Sequence, residues 1–422
     1  MQSRLKFFKV LGINIVILGI LAGIMRRYPL TDKVYYLFLL VLLLMLFVNI
    51  FRYNHLKISE GNMFSITVAV SSLVFMIIFS MDQLESVAKR YLIVYILIIY
   101  LYFSFLRYGL DYTIKFYKQL TYLLNTFSVL NLYQVFFHKP LLINYMELID
   151  LGYNYHFGSF AYRTMSVFNH PIVCGLFFVI AFLCNIFVLK SPMKYFFQIL
   201  LILNIYTTYA RSAWLALAVI MIVYAVLNHK KILLLLVRPK ITYTSLFTFC
   251  LITPTLFIFM IFNFEVIYAG IVERFGDSLS FNSSDGSNLQ RTMTISLIWS
   301  YMFDNGGYNL FFGYGAGTVT EFMLKHPLLL KGFATTDNQY VTLFYEFGLI
   351  GIFFYIYVIF FITFKYFKNK NKHWAIDLSF LCLLVVSFEL LFFEAWPVVL
   401  VILAFLISVL TFQFKKINTE QD

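Results

Sequence analysis

The sequence predicts an all-α polytopic integral membrane protein with about twelve transmembrane helices and one large extracytoplasmic loop. Of its 422 residues, 61% are hydrophobic and only 12% are charged, whereas a soluble domain is close to half apolar and a quarter charged. Apolar runs that approach or reach bilayer-crossing length recur along the whole chain. Lys and Arg gather on alternate connecting segments, as in cytoplasmic loops. The chain, 1–422, is therefore predicted to be a single membrane domain.

Twelve apolar runs are the candidate spans. The first follows three basic residues and is interpreted as a retained helix, because no small-residue cleavage pattern comes after it. Two neighbouring runs are separated only by Arg211, so they form either one long helix or a tight hairpin. The runs cover 10–25, 34–51, 61–81, 91–106, 121–137, 171–189, 195–210, 212–227, 241–263, 338–364, 375–394 and 397–414.

The basic residues predict the orientation of the chain. Placing both termini in the cytoplasm puts 20 of the 32 Lys and Arg residues on the inner side, as positive-inside sorting requires. This orientation needs a hairpin at Arg211, and it turns two long segments outward, 138–170 and 264–337. Within the second, apolar residues at helical spacing predict an amphipathic interfacial helix over 288–303.

Charge and motif content exclude several classes of function. The net charge of +12 follows from cytoplasmic Lys and Arg, so nucleic-acid binding is not predicted. All four cysteines lie inside apolar runs, and no Cys/His spacing typical of a metal site is present. The sequence also has no Walker loop and no GxGxxG motif. Neither a cofactor nor a metal is therefore expected.

Three arginines, Arg163, Arg211 and Arg291, fall on the predicted outer face. Positive-inside sorting would usually remove arginine from this side, and the guanidinium fork matches the geometry of phosphate. Arg211 stands at the edge of the bilayer, where a charge is costly and commonly functional. Each arginine on its own could instead snorkel to the interface or pair with a carboxylate. For the three together, a shared anionic ligand is the favoured interpretation.

Asp337 stands where the large outer loop becomes an apolar helix. One interpretation is a helix N-cap, a role that suits every residue of the Thr-Thr-Asp-Asn run 335–338 and does not exclude a chemical role. The helical spacing puts Asp337 on one face with Gly348 and Gly351, together with Val341 and Phe344. The two glycines would let another backbone approach that face closely.

Three glutamates, Glu346, Glu389 and Glu394, lie in or near apolar spans. Ionisable groups in such places face the protein interior and have a partner. Glu394 lies near the outer end of its span and could reach the arginines. A structural salt bridge is the alternative interpretation.

The order of these motifs resembles the O-antigen ligase and O-antigen polymerase superfamily of bacterial surface-polysaccharide assembly. YRTMSVFNHP precedes one span, YARSAW marks the hairpin, and Arg291 precedes Trp299 by eight positions in the large loop; FFGYGAG and DNQYVTLFYEFGLIG follow. The resemblance covers roughly 150–365. In the ligases the last motif begins with His, whereas Asp337 stands at that position here, which favours a polymerase.

The resemblance implies glycosyl transfer on the outer face of the bacterial inner membrane, without a cofactor. The implied substrates are undecaprenyl-pyrophosphate-linked oligosaccharides. Arg211 and Arg291 would then stabilise the departing pyrophosphate, and Asp337 would act as the base for the acceptor hydroxyl. Further substrate contacts are assigned to Arg163, Asn338, Tyr340, Gly313, Gly315 and Glu394.

The favoured function is a polymerase of O-antigen or capsule repeat units. A ligase that transfers finished polymer to a terminal acceptor is the alternative within the superfamily. A polysaccharide flippase or other transporter is the alternative from another class, although the long loop 264–337 argues against it; a membrane sensor is a weaker alternative. The expected partners are membrane lipid and, for a polymerase, a chain-length regulator and a flippase.

Overall fold

The computed structural model describes residues 2–26, 33–52, 74, 91–139, 141, 162–190, 193–229, 286–305, 307–329, 332–369 and 373–412. Thirteen α-helices are the regular elements of these residues. They are α1 Gln2–Met25, α2 Lys33–Arg52, α3 Ile93–Tyr108, α4 Leu110–Phe137, α5 Pro171–Val188, α6 Met193–Thr207, α7 Arg211–Leu227, α8 Gly286–Asn305, α9 Asn309–Phe312, α10 Thr318–Lys325, α11 Gln339–Lys368, α12 Trp374–Glu389 and α13 Pro397–Phe412.

The all-α class is confirmed, the apolar helices are consistent with a membrane protein, and ten of the twelve predicted spans coincide with helices. The other two runs, 61–81 and 241–263, lie outside the described residues. Within the described residues, α5 and α11 are long and apolar enough to cross a membrane, and the pair α3–α4, bent by 114°, would make a third span. The number of about twelve spans therefore stays a prediction, as does the orientation.

The described helices fall into two compact units. The first comprises 1–120, 143–150 and 291–422, and the second comprises 121–142 and 151–290. Helix α4 passes from the first unit into the second, and α8 passes from the second into the first. The prediction of a single membrane domain remains a prediction.

Helix α13 is the core helix of the first unit. It contacts α1, α3, α11 and α12, and most of its side chains are buried, as expected for a helix that is apolar all round. Its Phe405 packs against Phe116 with ring centroids 3.9 Å apart. Pro397 is the first helical residue, where proline costs no backbone hydrogen bond.

Helix α5 has the corresponding place in the second unit. It contacts α6 and α7, and fourteen of its eighteen residues are buried. Its one buried amide, Asn185, exchanges two hydrogen bonds with Asn125 of α4, at 2.9 and 3.0 Å. The pair satisfies both amides in a setting where an unbonded polar group would cost free energy.

The two apolar runs on either side of Arg211 form two separate helices, as the predicted hairpin requires. Helix α6 ends at Thr207 and α7 begins at Arg211, with Tyr209 between them in the left-handed region at φ 48°. The indole of Trp214 in α7 folds back on α6: its ring stacks on Tyr206 at 5.4 Å. Its Nε1 also donates a 3.0 Å hydrogen bond to the Ile205 carbonyl.

The helix predicted over 288–303 is confirmed as α8, Gly286–Asn305. Ile298 and Met302 are buried, whereas Ile295 and Trp299, two other apolar residues in the predicted range, are 43% and 56% exposed. Apolar residues therefore lie on more than one side of this helix. Its position at the outer interface stays a prediction.

Candidate functional site

An ion pair joins α8 to the start of α11. Nη2 of Arg291 lies 3.7 Å from Oδ2 of Asp337, and the two side chains are 21% and 32% exposed. Both residues belong to the first unit. The structure thus brings together two of the three predicted catalytic residues, at a place where both remain partly open to a ligand.

Asn338, rather than Asp337, caps α11. The Asn338 side-chain oxygen accepts hydrogen bonds from the backbone N–H groups of Tyr340 at 2.9 Å and Val341 at 3.2 Å. Asp337 lies one residue before the cap, with a left-handed φ of 51°. This backbone region is uncommon for residues other than glycine, although aspartate enters it more readily than most. The capping prediction for the 335–338 run is confirmed at Asn338, so the carboxylate of Asp337 serves another purpose.

Two threonines hold the loop in front of this cap. Thr335 Oγ1 donates a 3.2 Å hydrogen bond to Oδ1 of Asp337, the oxygen that does not face Arg291. Thr336 Oγ1 donates to the Asn338 carbonyl at 2.8 Å and lies 2.7 Å from the Thr342 hydroxyl. The role of Thr335 was not predicted from the sequence. The available signal was a hydroxyl residue two positions before an acid, a spacing typical of local loop hydrogen bonds.

The surroundings of Asp337 change its acidity. Burial raises the pKa of the Asp337 carboxyl above its ordinary value, while the charge of Arg291 and the hydrogen bond from Thr335 both lower it. Burial outweighs the other two effects, so the net pKa is raised. A carboxylate with a raised pKa holds a proton more strongly than an ordinary aspartate, which suits a general base.

Helix α11 is broken at Gly348, which has φ 63° and ψ −159°. The predicted single face from Asp337 to Gly351 is therefore wrong at both ends, because Asp337 precedes the helix and Gly348 interrupts it. The close backbone approach predicted at Gly348 is confirmed, since an added Cβ would lie 2.4 Å from the Phe311 carbonyl carbon. At Gly351 the nearest atom to such a Cβ is Cβ of Phe347 in the same helix.

The glycine turn FFGYGAG packs against this break. Tyr314 N donates to the Tyr345 carbonyl at 3.0 Å, and Gly315 N donates to the Glu346 carbonyl at 2.9 Å. A Cβ added to Gly313 would lie 2.3 Å from the Glu346 backbone, so only glycine fits there. Substrate binding by Gly313 and Gly315 stays a prediction; in the described geometry both approach backbone.

Glu346 links the turn and the break through its carboxylate. It is fully buried, and it accepts a 2.7 Å hydrogen bond from the Tyr91 hydroxyl on Oε2 and a 2.8 Å hydrogen bond from Gly317 N on Oε1. Gly317 is the residue before α10, so a carboxylate lies at the positive end of that helix. The prediction that this glutamate faces the interior and has a partner is confirmed.

Glu394 is also buried, at 7% exposure. It lines a small cavity with Tyr91 and Gln339. Gln339 ties the start of α11 to the segment after α12: its N–H donates to the Leu390 carbonyl at 2.9 Å, and its side-chain oxygen accepts from Ala395 N at 2.7 Å. A role for Glu394 in substrate binding stays a prediction.

Tyr340, one residue further along α11, is anchored in a similar way. Its hydroxyl donates a 2.7 Å hydrogen bond to the Ser387 carbonyl in α12, and its ring lies edge-on to Tyr355 at 5.4 Å. The hydroxyl therefore joins α11 to α12 in this structure. Substrate binding by Tyr340 and Asn338 stays a prediction.

The other two arginines are both placed by the turn between α6 and α7 in the second unit. Arg163 Nε donates a 3.1 Å hydrogen bond to the Thr208 carbonyl, three residues before Arg211. Arg211 is the first residue of α7, so its charge adds to the positive end of a helix dipole. This arrangement could hold an anionic group. A ligand shared by all three arginines stays a prediction.

A model of the O-antigen ligase family matches residues 196–356. The match includes Arg211, Arg291 and Asp337, and it confirms the resemblance to the O-antigen ligase and polymerase superfamily over this part of the chain. Members of that family are glycosyltransferase-like enzymes of polysaccharide assembly that act on lipid-linked oligosaccharides. No curated protein matches the chain. Among the described residues, no group of three or more His, Cys, Asp or Glu side chains is placed to hold a metal ion.

Proposed function

We propose that this protein is a polysaccharide polymerase that joins undecaprenyl-pyrophosphate-linked repeat units on the outer face of the bacterial cytoplasmic membrane. The observation that carries the proposal is the pairing of Arg291 with an aspartate of raised pKa in a loop that leads into an apolar helix. A cation beside a base is what transfer of a sugar from a pyrophosphate to a hydroxyl requires. The product would be an O-antigen or capsular type of polymer.

The reaction breaks one bond and forms another. The acceptor hydroxyl oxygen attacks the anomeric carbon of the donor glycan, and the bond from that carbon to the pyrophosphate oxygen breaks. Asp337 takes the proton of the hydroxyl. The electron pair of the broken bond leaves with the polyprenyl pyrophosphate, whose negative charge Arg291 stabilises.

The length of the ion pair suits this division of roles. A close charge-assisted hydrogen bond between Arg and a carboxylate is about 2.7–2.9 Å long, whereas Nη2 of Arg291 and Oδ2 of Asp337 are 3.7 Å apart. A phosphate oxygen can therefore approach the guanidinium without first breaking a short bond. Its arrival would also draw Arg291 from Asp337 and make the carboxylate a stronger base.

Helix α8 has an exposed apolar surface that could bind the lipid part of the same substrate. Ile295, Trp299 and Phe303 follow Arg291 at intervals of four residues and are 43%, 56% and 49% exposed. Residues four apart lie along one side of a helix, and twelve residues extend about 18 Å. A phosphate held at Arg291 could thus continue into an apolar chain that lies along α8.

Arg163 and Arg211 supply a second place for a phosphate, at the turn between α6 and α7. A polymerase needs two lipid-linked substrates, one that donates its glycan and one that accepts it. We assign the pyrophosphate of the second lipid-linked chain to these two arginines, which moves Arg211 from the departing pyrophosphate, where the sequence placed it, to the second one. A ligase would need only one lipid pyrophosphate, so this second place favours the polymerase.

The test is to incubate the purified protein with a single lipid-pyrophosphate-linked repeat unit and to separate the glycan products on a gel. A ladder, abolished by Asp337→Asn, is expected. Transfer only after a terminal acceptor such as lipid A core is added would instead assign ligase activity, the activity for which the matching family is named. An unchanged donor under both conditions would contradict glycosyl transfer.

A further inference from the structure

An irregular segment of the second unit is held by one side-chain amide of α4. Oε1 of Gln134 accepts hydrogen bonds from Met165 N and Ser166 N, both at 2.9 Å, and its Nε2 donates to the Ser166 carbonyl at 3.0 Å. Ser166 has a left-handed φ of 48°. Gln134 therefore satisfies three backbone groups that no helix or strand would satisfy.

Asn131, one turn earlier in α4, binds the same segment. Its Oδ1 accepts from Ser166 N at 3.1 Å, and its Nδ2 donates to the Thr164 hydroxyl at 3.1 Å and to the Asn204 side-chain oxygen at 3.0 Å. Asn204 of α6 in turn donates to the Ser128 carbonyl at 2.8 Å. The network thus joins α4, the irregular segment and α6.

The same segment also touches the end of α6 directly. Thr164 N donates to the Thr207 carbonyl at 3.0 Å, and the two threonine hydroxyls lie 3.0 Å apart. Arg163 comes immediately before, and its Nε donates to the Thr208 carbonyl. Arg163 is therefore followed directly by the segment 164–166, which is hydrogen-bonded to both α4 and α6.

The free-energy cost of burying the amides of Asn131 and Gln134 indicates that their hydrogen-bond network does more than pack helices together. Asn131 and Gln134 are completely buried, and a buried amide costs free energy unless it is fully hydrogen-bonded. Helices in a membrane protein pack well through apolar and small side chains alone. Irregular backbone in such a protein, by contrast, requires polar partners from the protein itself. The two amides meet that requirement at the residues beside Arg163.

We propose that Asn131 and Gln134 are positioning residues that hold segment 164–166 so that Arg163 presents its guanidinium to the phosphate of a lipid-linked substrate. The proposal rests on the proposed function, in which Arg163 binds that phosphate. It makes the two amides determinants of substrate affinity, although neither needs to contact the substrate.

The test uses Gln134→Leu in the full-length protein, with Asn125→Leu as the matched control. Asn125 is another buried amide of α4, but its partner is Asn185 and not the irregular segment. Gln134→Leu is expected to speed hydrogen exchange at Met165 and Ser166 and to raise the KM for lipid-linked repeat unit about tenfold with little change in kcat. Asn125→Leu should change neither property, although it lowers the melting temperature.

Two further variants separate positioning from loss of fold. Gln134→Glu keeps an acceptor oxygen for the two backbone N–H groups. Its KM is expected to lie closer to the wild-type value than the KM of Gln134→Leu. In an Arg163→Ala background, Gln134→Leu should raise the KM no further, because the group that it positions is absent.

The possible failures are distinguishable. A normal KM in Arg163→Ala would remove the phosphate-binding role of Arg163, and the positioning role would fall with it. A raised KM in Arg163→Ala, together with faster exchange but a normal KM in Gln134→Leu, would overturn the positioning role alone. An equal rise in KM for Asn125→Leu and Gln134→Leu would show that only general destabilisation is at work.

Discussion

The carboxylate of Asp337 lies 3.7 Å from the guanidinium of Arg291, and it is available for this pairing because the next residue, Asn338, caps α11. An N-cap side chain is committed to the first N–H groups of its helix. Asn338 forms the cap, and Asp337, whose backbone has a left-handed φ, lies directly before it without a capping role.

Replacing Asp337 with Asn should abolish polymer formation while leaving donor binding nearly intact. The amide is isosteric with the carboxyl group but cannot take a proton, and loss of a general base typically costs about 10²- to 10⁴-fold in rate. The rate should be measured with purified protein and one lipid-linked repeat unit. Asp304→Asn, at an exposed aspartate of α8 with no assigned role, is the matched control and should stay active. Full-length product from Asp337→Asn would rule out the base assignment.

The rate should fall as the pH is lowered, and the midpoint should lie above the ordinary pKa of an aspartate. Asp337 acts as a base only when it is ionised, and burial raises its pKa. Arg291 lowers that pKa, so Arg291→Gln should move the midpoint to higher pH, whereas Arg291→Lys, which keeps the charge, should move it less. The measurement is the pH profile of kcat/KM. An unchanged midpoint in Arg291→Gln would contradict the coupling of the two groups.

The sequence predicted the helical class and most helix positions because apolar runs identify helices with little ambiguity. At Arg211 it left one long helix or a hairpin open, and only the orientation derived from Lys and Arg required the break. The break at Gly348 was missed. Helical spacing continues through that glycine, and the cause of the break is the FFGYGAG backbone packed against it, a tertiary contact that local sequence does not show.

The candidate site was predictable to a similar degree. Residue type and predicted location singled out Arg291 and Asp337, and the structure pairs them. Which residue of the 335–338 run forms the cap depends on backbone angles, and these follow from how the loop is anchored by Thr335 and Thr336. The polar network around Asn131 and Gln134 was missed because scattered amides in a helix have no recognisable spacing.

Gly313→Ala should strongly reduce the amount of folded, active protein. An added Cβ would lie 2.3 Å from the Glu346 backbone, and Gly313 also has a left-handed φ of 77°. Gly332 is the matched control, because it has nearly the same φ, 80°, but nothing within 4 Å of an added Cβ. Both alanine variants carry the penalty of a non-glycine residue at positive φ, about 1–3 kcal/mol, and only one carries the collision. Equal melting temperatures for the two would show that the glycine turn does not pack closely against α11.

Tyr91→Phe should lower the free energy of unfolding by about 1–3 kcal/mol, because it leaves the buried Glu346 carboxylate with one fewer hydrogen bond. In a Glu346→Leu background the same change should cost less, since the 2.7 Å bond between the Tyr91 hydroxyl and Oε2 of Glu346 is already absent. Denaturant titrations of the two single variants and the double variant, in one detergent, measure this coupling. Tyr95→Phe, a neighbouring tyrosine in the same unit, provides a comparison outside this bond. If the two losses are simply additive, Tyr91 does not hold the carboxylate that fixes the glycine turn to the break in α11.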